Sequence, residues 1–299
     1  MKKLLLPLMY FAITSLQAQV QAPLYTGKIP GSKAAPAGFV EFTDERGFVK
    51  SVSEPGITVW VPEKKSETGS AVIIFPGGGY GGLSMINEGS SIAKAFNKIG
   101  VTAFVVKYRL PDDRIMNDKK TGPLQDAQQA IWYVRKNAAT WGIDPNWTGI
   151  IGFSAGGHLA STAGTHFDKN YIGNTDSISL VPSFMILIYP VISFGPLAHV
   201  GSRENLLGKS PDADAIRSFS NETRITAKTP PTFLVHATDD DVVDVKNSLV
   251  FYDSLQAWKI PSEIHIYEKG GHGYGLNNPS TDDKWFDRCA AWLKVQGFR

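Results

Sequence analysis

Thr148-Gly149-Ile150-Ile151-Gly152-Phe153-Ser154-Ala155-Gly156-Gly157-His158-Leu159-Ala160 is the stretch from which the fold of this chain can be read. Its first half is short, apolar and β-branched, the composition of a strand buried on both faces. Its second half continues as a helix. Between them Gly152-Phe153-Ser154-Ala155-Gly156 matches G-x-S-x-G. A strand that turns sharply into a helix strains the residue at the corner, and its neighbours must be small because the adjoining elements pass close by. The corner hydroxyl then stands at the positive end of the helix. The pentapeptide by itself is weak, since a structural glycine turn also matches it. Its place between a buried strand and a helix makes Ser154 a candidate nucleophile.

The same alternation repeats outward from this corner. Residues 57–61, 71–75, 102–107, 184–189, 232–236 and 263–267 are short runs dense in Val, Ile and Phe, bounded by Gly or Pro. Such runs suit strands of a mainly parallel sheet, buried on both faces. Between them, residues 124–141, 245–258 and 283–295 carry apolar residues at helical spacing, as in Ala127, Ala130, Ile131, Val134 and Ala138. Strand and helix in alternation predict one three-layer α/β domain over residues 41–299, with a mainly parallel, doubly wound sheet. The longest interval without a strand runs from Tyr189 to about Thr229 and holds His199 and Arg203. Its central part, 193–229, is expected to form a small lid or substrate wall.

The chain has 299 residues, 42% hydrophobic and 19% charged, with a formal net charge of +2. It shows no basic block or stripe, which argues against a nucleic-acid partner. At the N-terminus, Lys2 and Lys3 precede an apolar run from Leu4 to Ile13, followed by Ser15 and Ala18. That pattern predicts a signal peptide over residues 1–18, cut after Ala18 with Ala22 as the alternative. The run falls short of the roughly 20 apolar residues a membrane span requires. The expected location is therefore secreted or periplasmic, with no membrane insertion after cleavage. Residues 19–40, rich in Pro, Gly and Ala, read as a flexible segment along the surface. Cys289 is the single cysteine and excludes an internal disulfide. The sequence carries no signal for an oligomeric state.

Pro76-Gly77-Gly78-Gly79-Tyr80-Gly81-Gly82 follows the run at 71–75 and admits two readings. Gly77, Gly79 and Gly82 satisfy G-x-G-x-x-G, the dinucleotide fingerprint. That reading calls for an acid at the end of the next strand, which instead ends Lys107-Tyr108-Arg109; Arg109 suits only an NADP phosphate. It also leaves Ser154 unexplained, and an exported protein has little access to such cofactors. The other reading is an oxyanion loop, in which bare amides point at a developing negative oxygen. The second is preferred, and no cofactor is expected.

A serine hydroxyl needs a base, and the base an orienting acid. Of the six histidines, His272 lies in Gly270-Gly271-His272-Gly273-Tyr274-Gly275, a glycine-framed loop just after the last strand. It is the preferred base, with His236 second; His158 reads as packed and His265 as a strand residue. The acid is sought among Asp239, Asp240, Asp241 and Asp244, which follow the strand ending at His236. No metal is expected: H-E-x-x-H, a Cys/His ligand set, a Walker lysine and calcium-loop spacing are all missing from the sequence.

With these motifs in hand, the chain resembles bacterial α/β-hydrolases of the acetyl-xylan-esterase and feruloyl/acetyl-esterase type, akin to hormone-sensitive-lipase-like esterases. The matching stretches are 74–82, 106–111, 123–166, 188–190 and 230–275. The resemblance implies Ser154 as nucleophile, Asp240 as acid, His272 as base, and the amides of Gly78, Gly79 and Ala155 as oxyanion donors. Pro76 departs from the His of the lipase-like relatives, and Asp244 from a frequent Pro. The implied activity is a serine carboxylesterase acting on a small ester or an acetylated plant glycan. Tyr80, His199 and Tyr274 are candidate sugar contacts, or else packing residues. A serine peptidase on the same fold and a non-catalytic carbohydrate-binding protein on a hydrolase scaffold are the alternatives.

Overall fold

The computed structural model describes residues 19–298; the expected signal segment 1–18 lies outside them, as does Arg299. In chain order its strands are β1 (Gln19–Pro23), β2 (Phe42–Thr43), β3 (Phe48–Lys50), β4 (Gly56–Trp60), β5 (Ala71–Phe75), β6 (Leu83–Ser84), β7 (Thr102–Lys107), β8 (Thr148–Phe153), β9 (Met185–Ile188), β10 (Thr232–Ala237) and β11 (Ser262–Tyr267). Its helices are α1 (Ser91–Lys98), α2 (Gly122–Lys136), α3 (Ala138–Trp141), α4 (Ser154–Ala163), α5 (Val200–Leu207), α6 (Ala213–Ser218), α7 (Lys246–Ala257) and α8 (Trp285–Val295).

Eight strands form one sheet in the order β1-β4-β7-β5-β8-β9-β10-β11. From β7 to β11 every pairing is parallel, while β4 and β1 run antiparallel at one edge. Successive residues of a strand face opposite sides of the sheet. Along β5, Ala71, Ile73 and Phe75 accordingly join the core beneath α2, α4 and α7, whereas Val72 and Ile74 join the core beneath α1 and α8. β5 and β8 are buried along their whole length, as their unbroken apolar sequences require. β11 differs from that expectation. It is the outer strand, covered less completely, and none of its residues is fully buried.

The helical pattern of 124–141 is divided in two. α2 ends before Asn137, whose side-chain amide donates to the Tyr133 carbonyl, and α3 ends at Gly142 in a left-handed conformation. Among the described residues no helix is long and apolar enough to cross a membrane.

The segment 19–40, expected to be loose, is instead tied to the body. β1 pairs with β4 from Gln19↔Trp60 to Pro23↔Gly56 and so covers what would be an open sheet edge. Leu24 is buried behind it. Arg109 secures the rest: its guanidinium donates to the Pro30 carbonyl, to Ser32 Oγ and to both carboxylate oxygens of Asp126. Both side chains of this ion pair are fully buried, so Arg109 is not available to a nucleotide phosphate. Sequence reading missed the strand because an edge strand needs little apolar content, and four of its five residues are exposed. Arg109→Met leaves a buried carboxylate unpaired and is expected to cost about 3–5 kcal/mol of stability, read by denaturant unfolding. Pairing it with Asp126→Leu should recover only part of that loss, because the Arg109 backbone amide and the Tyr25 hydroxyl then lose their acceptor.

Candidate active site

At the end of β8 the chain turns abruptly. Phe153 is extended, with φ −117° and ψ 133°, and Ser154 takes a left-handed φ of 51° as the first residue of α4. The corner is as tight as the motif implies. A Cβ on Gly152 would overlap the Gly156 carbonyl, and one on Gly156 would overlap the Phe75 carbonyl. The hydroxyl of Ser154 is thereby held nearly buried at the rim of the sheet, beside the loops that leave β5, β10 and β11.

From the loop after β11, His272 approaches Ser154. Its Nε2 lies 2.8 Å from Ser154 Oγ, and its Nδ1 lies 2.7 Å from Asp240 Oδ2. With the carboxylate accepting at Nδ1, Nε2 is left to accept the hydroxyl proton. Asp240 follows β10, and its other oxygen, Oδ1, accepts the amide protons of Val242 and Val243 at 3.0 and 2.8 Å. Burial alone would raise this carboxyl. The hydrogen bonds from His236, His272 and the Val243 amide outweigh burial and hold it well below the usual carboxylate range.

The four acidic candidates thus separate by geometry. Asp240 reaches the imidazole; Asp239 accepts the Gly271 amide at 2.8 Å and steadies the histidine loop; Asp244 accepts the Lys246 amide at the start of α7. Asp241 is exposed. His236, the second choice for base, stands behind the acid. Its Nε2 faces two acceptors, Val243 O at 2.9 Å and Asp240 Oδ2 at 3.2 Å, so it carries a proton, while Nδ1 accepts from Ser248. It supports Asp240 and is fully buried.

Across the hollow from His272 lies the glycine loop. Gly78 and Gly79 have φ of 139° and 64°. The Gly77 amide donates to Glu88 Oε2 at 2.7 Å. Among the described residues, the amides of Gly78, Gly79 and Ala155 donate to no protein acceptor, the last because it sits in the first turn of α4. Gly78, Gly79, Ser154, His199, Val242 and His272 share a hollow of about 260 Å³, walled also by Phe48, Asn87 and Glu88. A second hollow of about 430 Å³ adjoins it through His199 and Val242 and is lined by Thr238, Asp240, Asp241 and Asp244. No helix follows the glycine loop directly. It closes as a turn, with Gly81 and Gly82 amides donating to the Gly78 carbonyl, and leads into β6. That is not the shape of a dinucleotide fingerprint.

The three candidate sugar contacts divide. His199 lines both hollows, caps α5 by accepting from Ser202, and is held below its ordinary pKa by burial and by the neighbouring His272. Tyr80 does not line the site. It is buried, and its hydroxyl meets His158 Nδ1 at 2.9 Å. Tyr274 is turned away as well, packed edge-on to Tyr189 at 4.8 Å between ring centroids. Both are packing residues, drawn inward by ring area that the core can bury. The stretch 193–229 supplies α5 and α6 and walls the site through His199 and Asn205, whose side-chain amide donates to the Gly79 carbonyl. Sequence reading missed Phe48, Asn87 and Glu88. None of these lies in a motif, and only the return of distant segments brings them to the rim.

A mainly parallel sheet, a sharp strand-to-helix corner bearing serine, and an acid and a histidine after the last two strands define the α/β-hydrolase class. The chain belongs to the BD-FAE family, whose model matches residues 57–255. It is 34% identical over 256 residues to an acetylxylan esterase of Xylanibacter ruminicola, covering 83% of this chain and 50% of that one. It is 35% identical over 216 residues to endo-1,4-beta-xylanase B of Butyrivibrio fibrisolvens, covering 72% of this chain and 34% of that one. The chain thus spans half or less of the length of these curated relatives. Among solved structures, an acetyl ester-xyloside bifunctional hydrolase from Caldicellulosiruptor lactoaceticus superposes with a TM-score of 0.78 at 36% identity, covering 93% of this chain and 97% of that one.

Proposed function

We propose that this protein is an exported serine carboxylesterase that removes acetyl or other short acyl groups from plant polysaccharide or its oligosaccharides. The observation that carries the reading is the line from Ser154 Oγ through His272 to Asp240, at 2.8 and 2.7 Å, facing three amides with no acceptor among the described residues. Ser154 Oγ attacks the ester carbonyl as His272 Nε2 takes its proton, and the negative oxygen forms against the amides of Gly78, Gly79 and Ala155. Asp240 stays ionised and holds the imidazole. His272 then returns the proton to the leaving alcohol, and a water, activated by the same imidazole, releases the acid and restores the serine.

Three features support a sugar ester in particular. The hollow beside Ser154 is small, the adjoining one is lined by hydroxyl and carboxylate groups suited to a polyol, and the relatives named above include an acetylxylan esterase and an acetyl ester-xyloside hydrolase. Export rests on the charged and apolar pattern of residues 1–18. The test compares acetate release from acetylated xylan with release from simple aryl acetates. Release from both is expected, with rates falling as the acyl chain lengthens; activity confined to the aryl esters removes the polysaccharide from the proposal.

A further inference from the structure

Beneath the hollow lies a carboxyl that the mechanism above does not use. Glu88 belongs to a π-helical turn, Met85–Ser90, and is 4% exposed. Such turns recur at functional sites because the extra residue re-aims a side chain. Here it aims Glu88 between the two loops that must cooperate. Oε2 accepts the Gly77 amide at 2.7 Å, one residue before the first free oxyanion amide. Oε1 accepts the Tyr189 hydroxyl at 2.8 Å, and the Tyr189 oxygen in turn accepts the Gly275 amide at 3.0 Å, three residues after His272. Tyr189 itself has a left-handed φ of 36°, and its ring packs 4.9 Å from the His272 imidazole. The neighbouring Asn87 adds a parallel tie, its side-chain amide donating to the Gly273 carbonyl at 3.0 Å.

We propose that Glu88 is a positioning residue of the esterase, holding the oxyanion loop and the histidine loop in register through Gly77 on one oxygen and through Tyr189 and Gly275 on the other. The proposal rests on the esterase reading of the site. Without the tie, each loop still has its own anchors, Asn205 for Gly79 and Asp239 for Gly271, so the fold survives while the distance between donors and base drifts. Burial holds the Glu88 carboxyl above the usual carboxylate range, and the bonds from Tyr189 and Gly77 with the charge of His272 offset only part of that rise. Glu88 accepts at both oxygens. A glutamine keeps only one arm: its amide oxygen takes the Gly77 proton, but its NH2 meets the Tyr189 hydroxyl, whose oxygen already takes the Gly275 amide and whose proton is left without an acceptor.

The experiment measures kcat and KM on p-nitrophenyl acetate for the wild type, Glu88→Gln, Glu88→Ala and Tyr189→Phe, each normalised to the fraction of sites that a fluorophosphonate titrates. Misplacement of transition-state groups lowers kcat and leaves KM nearly unchanged. Glu88→Ala is expected to lose about 100-fold in kcat. Tyr189→Phe and Glu88→Gln each break the Tyr189 arm and keep Glu88's place at Gly77, and each is expected to lose about tenfold. Normalised kcat unchanged in Glu88→Ala overturns the proposal, as does a Glu88→Gln protein as impaired as the alanine variant. Should Glu88→Ala not fold, unchanged turnover in Tyr189→Phe overturns it equally. A wild-type protein that neither labels nor turns over defeats the esterase reading instead, an outcome distinct from any ratio among variants.

Discussion

Ser154→Ala is expected to lower kcat on p-nitrophenyl acetate by about 10⁶-fold and to abolish fluorophosphonate labelling, with the fold unchanged. The size of the effect follows from the arrangement. Among the described residues no other hydroxyl hydrogen-bonds His272 Nε2, so the imidazole loses the nucleophile it is positioned to activate. What remains is the oxyanion amides and substrate binding, which by themselves leave about 10³–10⁴-fold over water. The corner also allows a control that separates chemistry from stability. Ser154 holds a left-handed φ of 51°, a conformation that disfavours every residue with a Cβ. Ser154→Gly should therefore be as inactive as Ser154→Ala yet more stable than it by about 1 kcal/mol, measured by denaturant unfolding. Near wild-type turnover in either variant ends the assignment of Ser154.

Asp240→Asn is expected to lose about 10⁴-fold in kcat with the site geometry intact. An amide can usually turn over to suit its partners, but here it cannot. The Oδ1 position accepts two backbone amides, from Val242 and Val243, and only an oxygen satisfies both. The NH2 must then occupy the place of Oδ2, facing His272 Nδ1 at 2.7 Å and the protonated Nε2 of His236 at 3.2 Å. It donates to His272 Nδ1 and so favours the tautomer with its proton on Nε2, which cannot accept from serine. The clash of NH2 with the His236 proton adds a stability loss. A single variant retaining more than about a tenth of wild-type kcat would reassign the orienting role to another carboxylate.

Much of this site is legible in the linear sequence, and the reason is local. The buried runs of the sheet, the corner at Ser154 and the bare amides of Gly78 and Gly79 are dictated by neighbours a few residues away, through strand burial, glycine conformations and helix entry. His272 stands out because glycines frame it, and Asp240 because a resemblance singles it out of four nearby acids. Where the reading failed, the deciding partner was distant. Tyr80 and Tyr274 lie beside motifs, yet their rings turn inward to His158 and Tyr189. The edge strand β1 exists because β4 offers it an unpaired ladder.

The sequence by itself determined the alternation of buried strands and helices around Ser154, the strained corner and the residue types able to carry acyl transfer, since all of these follow from short-range sterics and periodicity. Tertiary structure alone decided which aromatic rings face the hollow and that Glu88 lies between the two loops. Those outcomes depend on where segments dozens of residues apart come to rest, and a hydrogen bond of under 3 Å has no counterpart in the spacing of letters.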